Sequence, residues 1–161
     1  MTRVLALDIA TVTGWASLGG GVITSGSQSF ARYAGCKSRA ADHHGEPFAR
    51  FHRWLSAKLV EDKPDVIAVE GFGYFKSQAA AEICIGLRGV LLAIAASRGI
   101  PVHSYAPYVV KKFWAGKGNA DKDDMIAATL IHCNGVDLTD GNEADALALL
   151  HLHLDRCPVQ V

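Results

Sequence analysis

The sequence predicts an α/β domain of three layers, a mixed five-stranded sheet covered by helices on both faces. Short apolar segments broken by glycine turns come first, and strand-like and helix-like segments alternate after them. The length of 161 residues suits one domain spanning 1–161, with a core of its own and no room for two ordinary ones.

Arg3 to Asp8 (R-V-L-A-L-D) is an apolar run closing on an acid, and Gly14 to Leu18 is a second strand leading into Gly19-Gly20-Gly21. With a third strand near Val22 to Phe30, these form a meander. Residues 31 to 45 are small, basic and histidine-bearing with no sustained period, as suits a mobile loop. A helix is predicted from about Glu46 to near Glu61, with Pro47 in its first turn. Asp65 to Glu70 (D-V-I-A-V-E) is a buried strand that again ends on an acid. Ser77 to Ser97 is too long for a strand and too rich in Ala, Ile and Leu for a surface loop, which predicts a largely buried helix. Val102 to Tyr105 is the fifth strand; helices follow at Tyr108 to Trp114, Lys122 to Cys133 and Asn142 to Leu154.

Half of the residues are hydrophobic, a fifth are charged and 8% are aromatic, which excludes disordered, collagenous and low-complexity classes. The longest apolar stretch, around Gly89 to Ala96, is bounded by Arg88 and Arg98, and the N-terminus lacks a signal-peptide core, so a cytoplasmic protein outside the membrane is expected. Cys36, Cys84, Cys133 and Cys157 form no C-x-x-C, and no Cys/His pair at zinc spacing is read from the sequence; ordinary reduced thiols are expected. Basic and acidic residues balance at 16 each, but unevenly. Seven basic residues face three acidic ones through Lys58, and five face eight from Lys111 onward, so a basic surface beside an acidic pocket is expected.

Asp8 and Glu70 end strands and Asp145 opens the last helix, three places that converge at one edge of an α/β sheet. Carboxylates brought together repel unless a cation lies between them, and oxygen donors without His or Cys favour Mg²⁺ or Mn²⁺. The other reading of such acids is solvation or helix capping.

Five segments, in order along nearly the whole chain, resemble one family. L-A-L-D-I-A-T-V-T-G-W-A with Asp8, V-I-A-V-E with Glu70 and I-G-L-R-G-V-L-L-A-I-A-A with Arg88 are followed by V-K-K-F-W-A-G-K-G-N-A-D-K, from Lys111 to Lys122, and by N-E-A-D-A-L-A-L with Asp145. Together they are similar to the RuvC-type Holliday junction resolvases, within the RNase H-like superfamily. The length suits a phage or prophage version. The resemblance implies a metal-dependent endonuclease that nicks four-way or other branched DNA in pairs and leaves 5′-phosphates. It implies two Mg²⁺ or Mn²⁺ ions held by Asp8, Glu70 and Asp145, Lys122 against the scissile phosphate or the carboxylates, and Lys111 on the DNA backbone. It also implies a homodimer through helix 77–97, whose Gly86 and Gly89 would admit a second helix. The family's fourth ligand, Asp or His three residues before the last Asp, is Asn142 here: a neutral carbonyl ligand, a helix N-cap, or both, with Glu143 or Asp140 as alternative ligands.

Phe72 and Tyr74, in the loop G-F-G-Y-F-K after Glu70, are candidates to stack on unpaired bases, while Phe75 covers the core. Lys117, and Lys37 and Arg39 with His43 and His44, are candidate DNA contacts. His151 and His153 lie too far along the last helix to share a metal with Asp145 and read as partners of its C-terminal dipole. Trp15, Trp54, Phe113 and Trp114 read as packing. Rival readings are an RNase H-like nuclease for forks, flaps or RNA strands, and a branched-DNA binder without catalysis. A sugar-kinase-like phosphate binder needs a second domain for which the chain has no room.

Overall fold

The computed structural model describes residues 2–31, 45–75 and 77–157. Strands β1 (Val4–Asp8), β2 (Val12–Gly19) and β3 (Val22–Ser29) form an antiparallel meander; β4 (Val66–Glu70) and β5 (Val102–Tyr105) extend it in parallel, in the order β3-β2-β1-β4-β5. The predicted loop at 31 to 45 lies almost wholly outside the described residues, with Cys36, Lys37, Arg39, His43 and His44. Helices α1 (Gly45–Asp62) and α2 (Gln78–Ser97) lie on one face; α3 (Pro107–Ala115), α4 (Lys122–His132) and α5 (Gly141–Arg156) lie on the other.

Strand alternation divides the core in two. Leu5, Leu7, Ile67 and Val69 point to α1 and α2, where Phe51, Leu55, Leu87 and Leu91 are buried. Val4, Ala6, Val66 and Ala68 point to the other side and meet α5 through Leu147, Ala148 and Leu150. The small Ala6, Ala16 and Ala68 let α5 lie close to the sheet centre. Trp114 is buried and donates from Nε1 to Thr129 Oγ1 at 2.8 Å, and Trp54 packs on Phe30 and Phe51. Trp15 carries Lys58 Nζ 3.9 Å above its ring, so the packing role expected of these indoles holds.

With a hydropathy of 1.9, α2 is the one helix among the described residues long and apolar enough to cross a membrane. Its Ile83, Leu87, Leu91 and Ile94 are buried on the sheet, and Arg88 at its middle donates to Glu70 O and Ser104 Oγ, both at 2.9 Å. The helix packs on the sheet, but the expectation of a largely buried helix is corrected: only the face of Ile83, Leu87, Leu91, Ile94 and Ala95 is buried, and the rest is half-buried or exposed.

Gly14 is where the two layers meet. A Cβ there would fall inside the carbonyl oxygen of Asn142, so the first turn of α5 rests directly on the β2 backbone. Gly14→Ala is expected to cost about 3 kcal/mol in urea denaturation through overpacking, whereas Gly19→Ala, with open space around it, is expected to stay within about 0.5 kcal/mol.

Candidate active site

β1 and β4 are parallel neighbours, so their last residues, Asp8 and Glu70, reach the same end of the sheet. By alternation both follow Ala6 and Ala68 onto the face that α5 covers. Asp8 pairs in register with Gly14, the residue on which α5 rests, and that contact brings Asp145 to the same place. Asp8, Glu70 and Asp145 are all half-buried; Asp145 raises the proton affinity of Asp8, and both raise that of Glu70, so the three acids converge as the sequence predicts.

The start of α5 is held in several ways. Asp140, not Asn142, is the N-cap: its Oδ1 accepts from the N–H of Asn142 at 2.9 Å and of Glu143 at 3.0 Å. Burial raises the Asp140 pKa, but hydrogen bonds from Glu143, Ser27 and Asn142 outweigh it and hold the carboxyl below its usual range. The capping role read for Asn142 is thus corrected. Two residues further in, its Nδ2 donates to Asp140 Oδ2 at 3.2 Å, which directs the amide's hydrogen-bonding capacity toward the cap and leaves Oδ1 as its ligand atom.

Glu143, 3% exposed, accepts from Ser25 Oγ and from the Thr139 N–H, both at 2.6 Å. It ties β3 to the α5 approach and is a brace, so of the alternative ligands neither Glu143 nor Asp140 hangs free. At Gly141 a Cβ would stand 2.9 Å from Lys122 Cε and 3.1 Å from Cγ. The missing side chain is the channel along which Lys122 crosses the helix start toward the acids.

Lys122 and Lys111 both lower the pKa of Asp8 and of Asp145, and Lys111 lowers that of Glu70. Lys111 is half-buried, with Nζ donating to Ala120 O at 2.8 Å, which anchors it from α3. Lys117 is apart from this group: it is exposed and paired with Asp124 Oδ2 at 2.6 Å. Phe72 and Tyr74, 39% and 95% exposed, project beside Glu70, while Phe75 is half-buried against Phe72 at a centroid distance of 5.2 Å.

The residue that sequence reasoning missed is Arg88. Besides its bonds to Glu70 O and Ser104 Oγ, its guanidinium lies 5.0 Å from the Phe72 ring centroid, so one cation fixes both the β4 end and the aromatic loop. An arginine inside an apolar helix was the available signal. The histidine reading is corrected too. His151 and His153 are packing groups whose pKa values are lowered by burial first, then by His132 and His103 respectively.

Burial, before any neighbouring charge, pushes Asp8 up to about 7, Glu70 to about 8 and Asp145 to about 6. Their mutual repulsion adds to this at Asp8, from Asp145, and at Glu70, from both others. Each acid holds its proton more tightly folded than unfolded, where 3.8 and 4.5 apply. The folded chain therefore binds more protons between those values, and this site removes stability as pH rises through the window. His151 and His153, with lowered values, remove stability as pH falls below 6.5. In urea denaturation with chelator present, Asp8→Asn is expected to be more stable than the parent by on the order of 2 kcal/mol at pH 8, with the difference shrinking toward pH 5.

Comparison with known proteins agrees with this geometry. Residues 10–153 match the family model "Crossover junction endodeoxyribonuclease RuvC". The chain is 31% identical over 156 residues to the RuvC of Methylococcus capsulatus, spanning 95% of this chain and 92% of that one. It is 37% identical over 113 residues to that of Myxococcus xanthus, an alignment that spans 67% of this chain and 59% of the relative. Among solved structures, Thermus thermophilus RuvC in complex with Holliday junction substrate superposes with a TM-score of 0.72 at 22% identity, covering 95% of this chain and 93% of that one. The yeast mitochondrial Holliday junction resolvase superposes with 0.62 at 14% identity, over 92% and 75%. The sheet order, the layers and the family match together place this chain in the RuvC family of crossover junction endodeoxyribonucleases, with an RNase H-like fold.

Proposed function

We propose that this chain, as one nuclease domain over 1–161, cleaves four-way and related branched DNA junctions by metal-assisted phosphodiester hydrolysis at Asp8, Glu70 and Asp145. The observation that carries this reading is the convergence of three half-buried carboxylates from β1, β4 and α5, where Asp145 disfavours ionisation of Asp8 and both disfavour that of Glu70. Such an arrangement is unfavourable unless cations neutralise it. The donor set, three carboxylates and the Asn142 carbonyl, is all hard oxygen and fits Mg²⁺ or Mn²⁺. Two such ions, when bound, would supply activation of the attacking water and stabilisation of the leaving 3′ oxygen.

The rest of the work falls to side chains of the chain itself. Lys122, guided over Gly141, neutralises the carboxylate cluster and is in reach of an incoming phosphate. Lys111, fixed by Ala120 O, adds a second positive charge at the site's edge and contacts the backbone. Phe72, held by Arg88, and the exposed Tyr74 present ring faces to bases opened at the branch point. Lys117 adds long-range attraction for phosphate once Asp124 yields it, and Lys37 and Arg39 extend the DNA contact from outside the described residues. A bacterial cytoplasm, or that of a phage-infected host, is the setting this reading implies.

The second strand is met by a second copy. Opposite the face of α2 that packs on the sheet, Ile85 and Leu92 are 53% and 45% exposed, and Gly89 has open space where a Cβ would stand. A two-fold pair through this face would present two identical sites to strands of like polarity.

With a labelled four-way junction and Mg²⁺ or Mn²⁺, the expected products are paired nicks with ligatable 5′-phosphate ends, and Asp8→Asn is expected to slow cleavage by at least about 10³-fold. Tight metal-independent binding without cleavage would sink the catalytic reading. Ile85→Glu with Leu92→Glu is expected to convert a dimer to a monomer in light scattering and to uncouple the paired nicks. A parent chain that is already monomeric would overturn the proposed pairing.

A further inference from the structure

At the opposite end of α5 from Asp145 a second group of ligating side chains assembles. His153 and Cys157 are four residues apart, so they lie on one face of the last helical turn; Cys157 closes the helix with its N–H on His153 O at 2.9 Å. His103, on β5, alternates onto the same side as Tyr105 and reaches this turn, with its ring centroid 5.3 Å from that of His153 at an interplanar angle of 88°. One ligand atom from each of His103, His153 and Cys157 lies within 4.8 Å of the other two. The absence of zinc spacing read from the sequence is corrected by this H-x-x-x-C pair and its partner strand.

We propose that His103, His153 and Cys157 form a Zn²⁺ site, separate from the carboxylate centre. Two imidazoles and a thiolate are the donor set of a d¹⁰ tetrahedral ion, and magnesium, which selects oxygen, has no preference for it. The site is built as metal sites are. His153 is buried and its Nδ1 shares a hydrogen bond of 2.8 Å with Tyr105 Oη, which fixes the ring and leaves Nε2 for the metal. His103 and Cys157 are exposed, so the ion has a path of entry and a fourth position open to water. Bound Zn²⁺ would join the C-terminal turn of α5 to β5, the edge strand of the sheet.

Cobalt(II) reports this site independently of catalysis, because only a thiolate ligand gives a near-ultraviolet sulfur-to-cobalt band and only tetrahedral geometry gives intense visible bands. The reduced full chain is titrated with Co²⁺ in excess Mg²⁺, which occupies the oxygen ligands. The expected result is a thiolate band saturating at one equivalent, bleached by one equivalent of Zn²⁺, absent from Cys157→Ser and kept by Cys36→Ser. His103→Ala is expected to weaken binding at least about tenfold. No thiolate band in the parent chain, or a band that survives Cys157→Ser, overturns the proposal.

Discussion

Electrostatic repulsion among Asp8, Glu70 and Asp145 is the constraint around which the rest of the chain is arranged. Left alone, three carboxylates would drive the end of α5 away from the sheet, and half-burial makes the repulsion stronger than water would allow. Several contacts oppose that separation. The backbone of α5 is seated on Gly14, Asp140 caps its first turn, Glu143 links that turn's approach to Ser25 on β3, and Arg88 holds the end of β4 by its carbonyl. None of these groups needs to touch a substrate. They act by denying the acids the freedom to move apart, and Lys111 and Lys122 reduce the charge that must be confined.

Most of the architecture was legible because it is written in short-range patterns. Apolar runs ending in Asp8 and Glu70 mark two strands to within a residue or two, and Gln78–Ser97 follows directly from a long Ala/Leu/Ile segment behind a Ser cap. Convergence of the acids also followed, since strand ends on one edge have few places to go. The errors share a different origin. Asn142 is a good capping residue by type, but Asp140 captures two N–H groups from two positions earlier, and Gly141, which reads as a loop residue, sits inside the helix because Lys122 needs its space. Similarly, Gly14 reads only as the start of a strand, and the reason for a glycine there is a backbone 128 positions away.

The histidines illustrate the same limit. On one helix, His151 and His153 look like cations placed against a dipole; in the fold they are enclosed by Trp114 and by Tyr105 with His103. Burial lowers their pKa values and so disfavours the expected cation, and burial is a property of three elements together. His153 and Cys157 are likewise four residues apart in sequence but unremarkable until β5 supplies His103 across the sheet edge.

The order in which the three acids occur along the chain has a consequence for synthesis. The meander β1 to β3 is local and can form early, whereas β1 must wait for β4 and then for α5, the last element, before Asp145 arrives. A chain still emerging from the ribosome therefore carries two acids without the third. The proposed site is therefore complete only once α5 has been made and docked, and a chain short of α5 lacks the third acid.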